Sequence, residues 1–322
     1  MKTLSKIKAP IIQELNVFEK QFFNSISSKV KLLNLILRYV INRKGKQIRP
    51  ILVFLFAKMF SDKVTEKSYR AATLVELIHT ASLIHDDVVD ESNVRRNFLS
   101  INAQWKNKVS VLVGDFFLSK ALLISTENKD YDLLNEISLT TKEISEGELL
   151  QIQKSRNFNL SEDEYIYLIS KKTASLFSCC CAVGSISSNQ SNLDDIKKFG
   201  NYLGIIFQIK DDLFDYTTKK IGKPTKSDIK NQKITLPLIY SIEKSSSSDK
   251  KVIKSIFKKK KYSKYQKNKV NDFIVKYGGF EYSEQKMIEY QNKAKLLLKK
   301  FPDNKSRESI EILLEYIIER KF

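Results

Sequence analysis

Residues 76–90 read Glu76-Leu77-Ile78-His79-Thr80-Ala81-Ser82-Leu83-Ile84-His85-Asp86-Asp87-Val88-Val89-Asp90. With the preceding turn, Leu74, Leu77, Ile78, Ala81 and Ser82 fall at i, i+3, i+4, i+7 and i+8, the stripe of a helix that buries one face. On such a helix Asp86 and Asp90 lie one turn apart on one face, with Asp87 on the adjacent flank. Ionised carboxylates beside an apolar helix face are costly unless a positive charge compensates. A hard divalent cation, which prefers oxygen ligands, supplies that charge.

The arrangement recurs at Gln208-Ile209-Lys210-Asp211-Asp212-Leu213-Phe214-Asp215, where Asp211 and Asp215 stand at i and i+4. They end a second stripe made by Phe199, Tyr202, Leu203, Ile206 and Phe207. Either string alone also fits a solvated helix end. Two of them fit facing helices whose carboxylates share several Mg²⁺ ions with a diphosphate, because Mg²⁺ takes one or two carboxylates plus phosphate oxygens.

Outward from these strings the pattern stays helical. Ile310, Leu313, Leu314, Ile317 and Ile318 form another stripe, and Ser161 with Glu164 reads as a capping box opening a helix. Strand alternation is absent, and 9 glycines and 5 prolines in 322 residues are too few for many short strands. Breaks are expected at 43–46, 91–99, 128–130, 156–159, 187–192 and 217–233, with a polar patch at 245–251. None is long enough for an interdomain linker. The expectation is all-α: one domain over 1–322, a single large helical bundle around a central hydrophobic cavity.

The net charge of +19 admits an anionic partner or simple compositional drift, much of it in the run Lys258–Lys261. No nucleic-acid-binding signature accompanies it, so no nucleic acid is expected as partner. Cys179, Cys180 and Cys181 are consecutive, point away from one another on a helix, and carry no metal-ligand spacing. They read as packing residues in a reducing compartment. The first twenty residues lack an apolar signal core, and the uncharged stretch 173–193 is too rich in Ser and Asn to span a membrane. The expected location is the cytoplasm.

Carboxylates and cations hold one diphosphate; a second needs basic residues. Lys46 and Arg49 open an apolar segment, and Arg95 and Arg96 follow the first acidic string. His79 lies two turns before Asp86, where it fits either a core residue or a site residue.

These strings together resemble the trans-isoprenyl diphosphate synthases, or polyprenyl synthetases. The likeness runs through Gly45–Pro50, Glu76–Asp90, Arg95-Arg96, Gly114-Asp115-Phe116, Glu146-Gly147-Glu148, Lys172-Thr173, Gln208–Asp215, Gly222-Lys223, Lys233–Pro237 and Glu319-Arg320-Lys321. It implies the isoprenoid synthase fold and a prenyl transfer between isopentenyl diphosphate and an allylic diphosphate. By resemblance, Asp86, Asp87, Asp90, Asp211 and Asp215 form the Mg²⁺ set. Lys46, Arg49, His79 and Arg96 hold isopentenyl diphosphate, and Arg95, Lys172, Lys223 and Lys233 the allylic diphosphate. Thr173 and Gln208 face the developing cation. Gln47 departs from the family, where many members carry arginine.

The small Ala81 and Ser82, about one turn below Asp86, are expected to leave a channel open to a growing chain. By resemblance the product has roughly six to nine isoprene units (C30–C45, octaprenyl-like), with farnesyl or geranylgeranyl diphosphate as the short-chain alternative. The likeness also implies a homodimer, and the lysine-rich region a peripheral membrane contact for product release. A terpene cyclase would replace the second string by an Asn/Ser/Glu pattern, and a regulatory subunit would lose site residues. Neither departure is found.

Overall fold

The structure, a computed structural model, describes residues 2–42, 45–95, 98–155, 160–216, 234–257 and 263–320. They are almost wholly helical: α1 (Lys2–Lys8), α2 (Ile12–Ser25), α3 (Lys31–Ile41), α4 (Ile48–Phe60), α5 (Glu66–Val89), α6 (Ile101–Glu127), α7 (Tyr131–Ser155), α8 (Glu162–Ile169), α9 (Ser175–Ile186), α10 (Asp194–Phe214), α11 (Leu236–Lys244), α12 (Ser247–Phe257), α13 (Lys264–Lys276), α14 (Gly279–Leu298) and α15 (Lys305–Glu319). The polar patch at 245–251 is largely helical. From Ser247 it forms the first turn of α12, whose Ile253, Ile256 and Phe257 are buried. An antiparallel ribbon, β1 (Val94–Arg95) against β2 (Phe98–Leu99), lies in the α5–α6 connection.

α9 lies at the centre, wrapped by α4, α5, α7 and α10. Its sequence Ser-Leu-Phe-Ser-Cys-Cys-Cys-Ala-Val-Gly-Ser-Ile has no charged side, and nearly every residue is buried, as a helix apolar all round must be. The three cysteines are buried and unbridged, and burial pushes the Cys179 thiol up to about 12. α4 supplies a second enclosed wall, Ile51 to Ala57, and α5 and α10 lay their apolar stripes against this core. The capping box forms as expected: Ser161 Oγ accepts from Glu164 N at 3.2 Å, and Glu164 Oε2 accepts from Ser161 N at 3.0 Å.

Among the described residues, two helical stretches are long and apolar enough to cross a membrane, Ile101–Glu127 and Glu162–Ile186. The second is 61% buried and is a core helix. Only 33% of the first is buried, so α6 keeps an apolar face in the open, with Leu112, Leu122 and Leu123 exposed.

Candidate active site

The C-terminal ends of α5 and α10 converge over two cavities. In one, of about 370 Å³, Asp90 from α5 shares the lining with Gln208 from α10 and with Lys172 and Thr173. In the other, of about 420 Å³, Asp87 and Arg95 share the lining with Asp211, Lys46, Arg49 and His79. Residues far apart in the chain are brought together here by helix packing.

Lys172 and Thr173 reach the first cavity from a π-helical turn, Ser170–Ala174, inserted between α8 and α9. Such turns carry one extra residue and recur at functional sites. Lys171 is drawn outward to Glu143 at 3.0 Å, whereas Lys172 ion-pairs with Glu148 and donates to Gln151 Oε1 at 3.2 Å. Gly147 makes this possible, because a Cβ there would lie 2.8 Å from the backbone nitrogen of Lys172. The Glu146-Gly147-Glu148 string is therefore a close approach of α7 to the π turn. Thr173 Oγ1 donates to Gln208 Oε1 at 2.7 Å.

Asp86 is a strongly perturbed carboxyl of the first string. Burial raises it to about 6; Lys172 and Arg95 oppose the rise, and Glu148 and Asp90 add to it. Its oxygens are thus short of positive charge. Asp90 caps the end of α5 and is exposed, and Asp215 caps α10, half-buried.

Asp87 departs from the expected metal set. Successive helix residues are rotated by about 100°, which turns Asp87 from the Lys172 side to the other cavity. There it is buried and accepts from Arg95 Nε at 2.7 Å. Burial raises its pKa, with Arg95 opposing. Asp87 is occupied in holding Arg95, itself expected as a diphosphate contact.

On the second-cavity side, Gln47 begins α4 with φ 55 and ψ 38, a left-handed conformation uncommon for a non-glycine residue. The turn sends Lys46 over the Tyr316 ring at 5.4 Å and Arg49 over Phe177 at 5.6 Å. Arg49 Nη1 donates to His79 Nε2 at 2.8 Å; a guanidinium cannot accept, so His79 is the acceptor on this nitrogen.

Sequence reading assigned no role to Arg320. Its side chain is 8% exposed, and Nη2 donates to Asp211 Oδ1 at 2.5 Å and to the Phe207 carbonyl at 3.2 Å. The guanidinium stacks 4.2 Å from the Phe207 ring centroid. The family-like Glu319-Arg320-Lys321 tail was the only signal in the sequence. Asp212 and Tyr165 were missed likewise: Asp212 is wholly buried and accepts from Tyr165 Oη at 2.7 Å and from Gln208 Nε2 at 2.8 Å.

Ala81 is enclosed, and Ser82, half-buried, donates back to Ile78 O at 2.9 Å. α5 meets the second cavity with Glu76, His79, Thr80, Leu83, Ile84 and Asp87, so neither Ala81 nor Ser82 lines it or the first cavity. Arg96, Lys223 and Lys233 lie outside the described residues.

An all-helical fold with paired aspartate-bearing helix ends over basic cavities is that of an isoprenoid synthase. Residues 30–274 match the polyprenyl synthetase family model, and the chain belongs to that family. It is 31% identical to an all-trans-nonaprenyl-diphosphate synthase (geranyl-diphosphate specific) of Rhodobacter capsulatus, over 98% of this chain and 97% of that one. It is 30% identical to octaprenyl diphosphate synthase of Escherichia coli, over 98% and 99%. Among solved structures, a polyprenyl synthase of Caulobacter crescentus, complexed with calcium and isoprenyl diphosphate, superposes with a TM-score of 0.91 at 28% identity, covering 99% of this chain and 98% of that one.

Proposed function

We propose that this chain, acting as one unit in the cytoplasm, condenses isopentenyl diphosphate with an allylic diphosphate to give a longer all-trans-polyprenyl diphosphate. The observation that carries the reading is the convergence of Asp90, Lys172, Thr173 and Gln208 on one cavity, with Lys46, Arg49 and His79 lining its neighbour.

The residues fit Mg²⁺. The donors are carboxylates, and Asp86 is a carboxyl that burial and neighbouring acids leave short of positive charge. Among the described residues no three Asp, Glu, His or Cys groups form a ready cage. That suits an ion which takes one or two carboxylates and completes its shell with diphosphate oxygens. Asp86 and Asp90 on one side and Asp215 on the other would hold it, joined by Asp211 where it gives up its pairing with Arg320, and when bound it would neutralise the charge of the leaving diphosphate.

The chain's own groups do the rest. Lys172 meets the allylic diphosphate, so the C–O bond breaks with its electron pair on a neutralised oxygen. Thr173 and Gln208 turn oxygen dipoles toward the carbon left positive. Lys46, Arg49 and His79 hold isopentenyl diphosphate with its double bond against that carbon, an orientation effect. The new C–C bond forms, a proton leaves to the departed diphosphate, and an allylic product is restored. Apolar walls including Leu168 and Ile169 keep water from the cation.

The octaprenyl and nonaprenyl relatives support a product of roughly C30–C45. Neither Ala81 nor Ser82 lines the two cavities, but Ser82, half-buried one turn below Asp86, is the position from which a bulky side chain could reach toward them, and we assign channel length to it. Ala81 is enclosed, so a bulky residue there would first have to displace its neighbours. Ser82→Phe is expected to shorten the product on reversed-phase chromatography, and an unchanged length removes Ser82 from this role. Incubating purified protein with Mg²⁺, isopentenyl diphosphate and farnesyl diphosphate tests the activity itself; no chain elongation would refute it.

The open apolar face of α6 supports a homodimer, since exposed patches of this kind mark association sites. Leu112→Glu with Leu122→Glu should halve the mass in sedimentation equilibrium. The lysines of α12 and α13 support contact with anionic lipid. Sedimentation with phosphatidylserine vesicles, but not with neutral ones, is the expected result.

A further inference from the structure

We propose that Tyr165 is a positioning residue for the condensation, fixing through Asp212 and Gln208 which way the Thr173 hydroxyl points. The inference rests on the reading of the site given above, and it concerns a residue outside both acidic strings.

Four side chains form a directed series of hydrogen bonds. Tyr165 Oη donates to Asp212 Oδ2 at 2.7 Å, Gln208 Nε2 donates to Asp212 Oδ1 at 2.8 Å, and Thr173 Oγ1 donates to Gln208 Oε1 at 2.7 Å. The direction follows from the inventory of donors and acceptors. Asp212 accepts at both of its oxygens, from Tyr165 on one and from Gln208 on the other. Gln208 must therefore turn its NH₂ to Asp212, which leaves its carbonyl oxygen for Thr173. A hydroxyl has one proton, and Thr173 spends it on that oxygen. What Thr173 offers to the cavity it lines with Lys172 is then lone-pair density. That is the polarity wanted beside an allylic carbon that becomes positive when its C–O bond breaks.

Tyr165 anchors the buried end. It is 1% exposed and Asp212 is wholly buried. Burial and the Asp212 carboxylate push the Tyr165 hydroxyl well above the ordinary phenol range, so it stays a donor. With Oδ2 held, Oδ1 stays aimed at the Gln208 amide. Tyr165 comes from α8 and Thr173 from the π turn directly after it, so one short segment carries both ends of the series. Satisfied buried networks of this kind hold one arrangement, whereas partly satisfied ones admit several.

The test is steady-state kinetics on the full-length enzyme with isopentenyl and farnesyl diphosphates. Tyr165→Phe should lower kcat roughly tenfold while both KM values stay within about twofold, because an orientation needed only in the transition state is lost. The same substitution in a Thr173→Val background should have little further effect, since the hydroxyl whose direction it governs is gone. If Tyr165→Phe does not fold, Asp212→Asn is the isosteric alternative. Tyr165 then claims the Asn carbonyl, the Asn NH₂ faces Gln208, and Gln208 must turn its own NH₂ to Thr173, which reverses the series. A fall in kcat that vanishes in Thr173→Val supports the proposal. An unchanged kcat, a loss confined to KM, or effects fully additive with Thr173→Val overturns it while leaving the condensation reading intact. A wild-type enzyme without condensation activity sinks both.

Discussion

Replacing Asp86 by asparagine should make the cation-free protein more stable while abolishing its activity. Burial raises the Asp86 carboxyl from its ordinary 3.8 to about 6 in the folded chain. The difference corresponds to roughly 3 kcal/mol against the ionised form, or about 2 kcal/mol once solvent at a half-buried group is allowed for. The sign follows from proton counting. Between pH 4 and pH 6 the folded protein binds more protons than the unfolded chain, so stability falls as pH rises through this window. The penalty is complete above pH 6 and absent below the unfolded value. Asp86→Asn, with no charge to bury, escapes it. Thermal denaturation in EDTA should then give the variant a Tm about 3 °C above wild type at pH 8, with the advantage shrinking toward pH 4. Adding Mg²⁺ with inorganic diphosphate should raise the wild-type Tm and leave the variant nearly unmoved, since binding to the folded state stabilises it. A variant less stable than wild type at pH 8 in EDTA, or an advantage independent of pH, would refute the claim that Asp86 is held short of positive charge.

Arg320→Ala removes the partner of Asp211 and a stacked, buried guanidinium; breaking such a pair costs about 3–5 kcal/mol. A marked fall in Tm with weakened isopentenyl diphosphate saturation is expected, read by calorimetry and by KM. Gly114→Ala would set a Cβ 2.1 Å from His85 Nε2, an overlap of the kind that costs about 1–3 kcal/mol. The ring must move at the end of α5, so both Tm and kcat should fall, and His85→Ala in the same chain should recover much of the Tm. Thr173→Ser keeps the hydroxyl and should hold kcat within about threefold of wild type, whereas Thr173→Val should lose more than an order of magnitude, as measured by product formation.

The helical fold was legible in the sequence because its signal is local. Apolar spacing of three and four depends only on which face of each helix is buried, and the stripes on α5, α10 and α15 announced themselves that way. The capping box at Ser161 and Glu164 is equally local and formed as read. The two acidic strings were visible because their i, i+4 spacing ends an apolar stripe in both cases. The polar patch at 245–251 carries no apolar stripe of its own, and the burial of Ile253, Ile256 and Phe257 further along α12 decides for helix from Ser247.

Everything that depends on direction in space was settled by tertiary packing. The chain alone determined that acidic helix ends, basic residues and a Lys-Thr pair would be present, because residue type and short-range spacing are written in it. Only the folded structure decided that Asp87 turns away to Arg95 and that Arg320 crosses from the last helix to Asp211. It also decided that Asp212, adjacent in sequence to Asp211, faces inward to Tyr165. A rotation of about 100° between neighbours on a helix sends adjacent carboxylates to different surroundings. Which surroundings those are depends on partners 8, 47 and 109 residues away, Arg95, Tyr165 and Arg320, whose placement in space no local spacing rule contains.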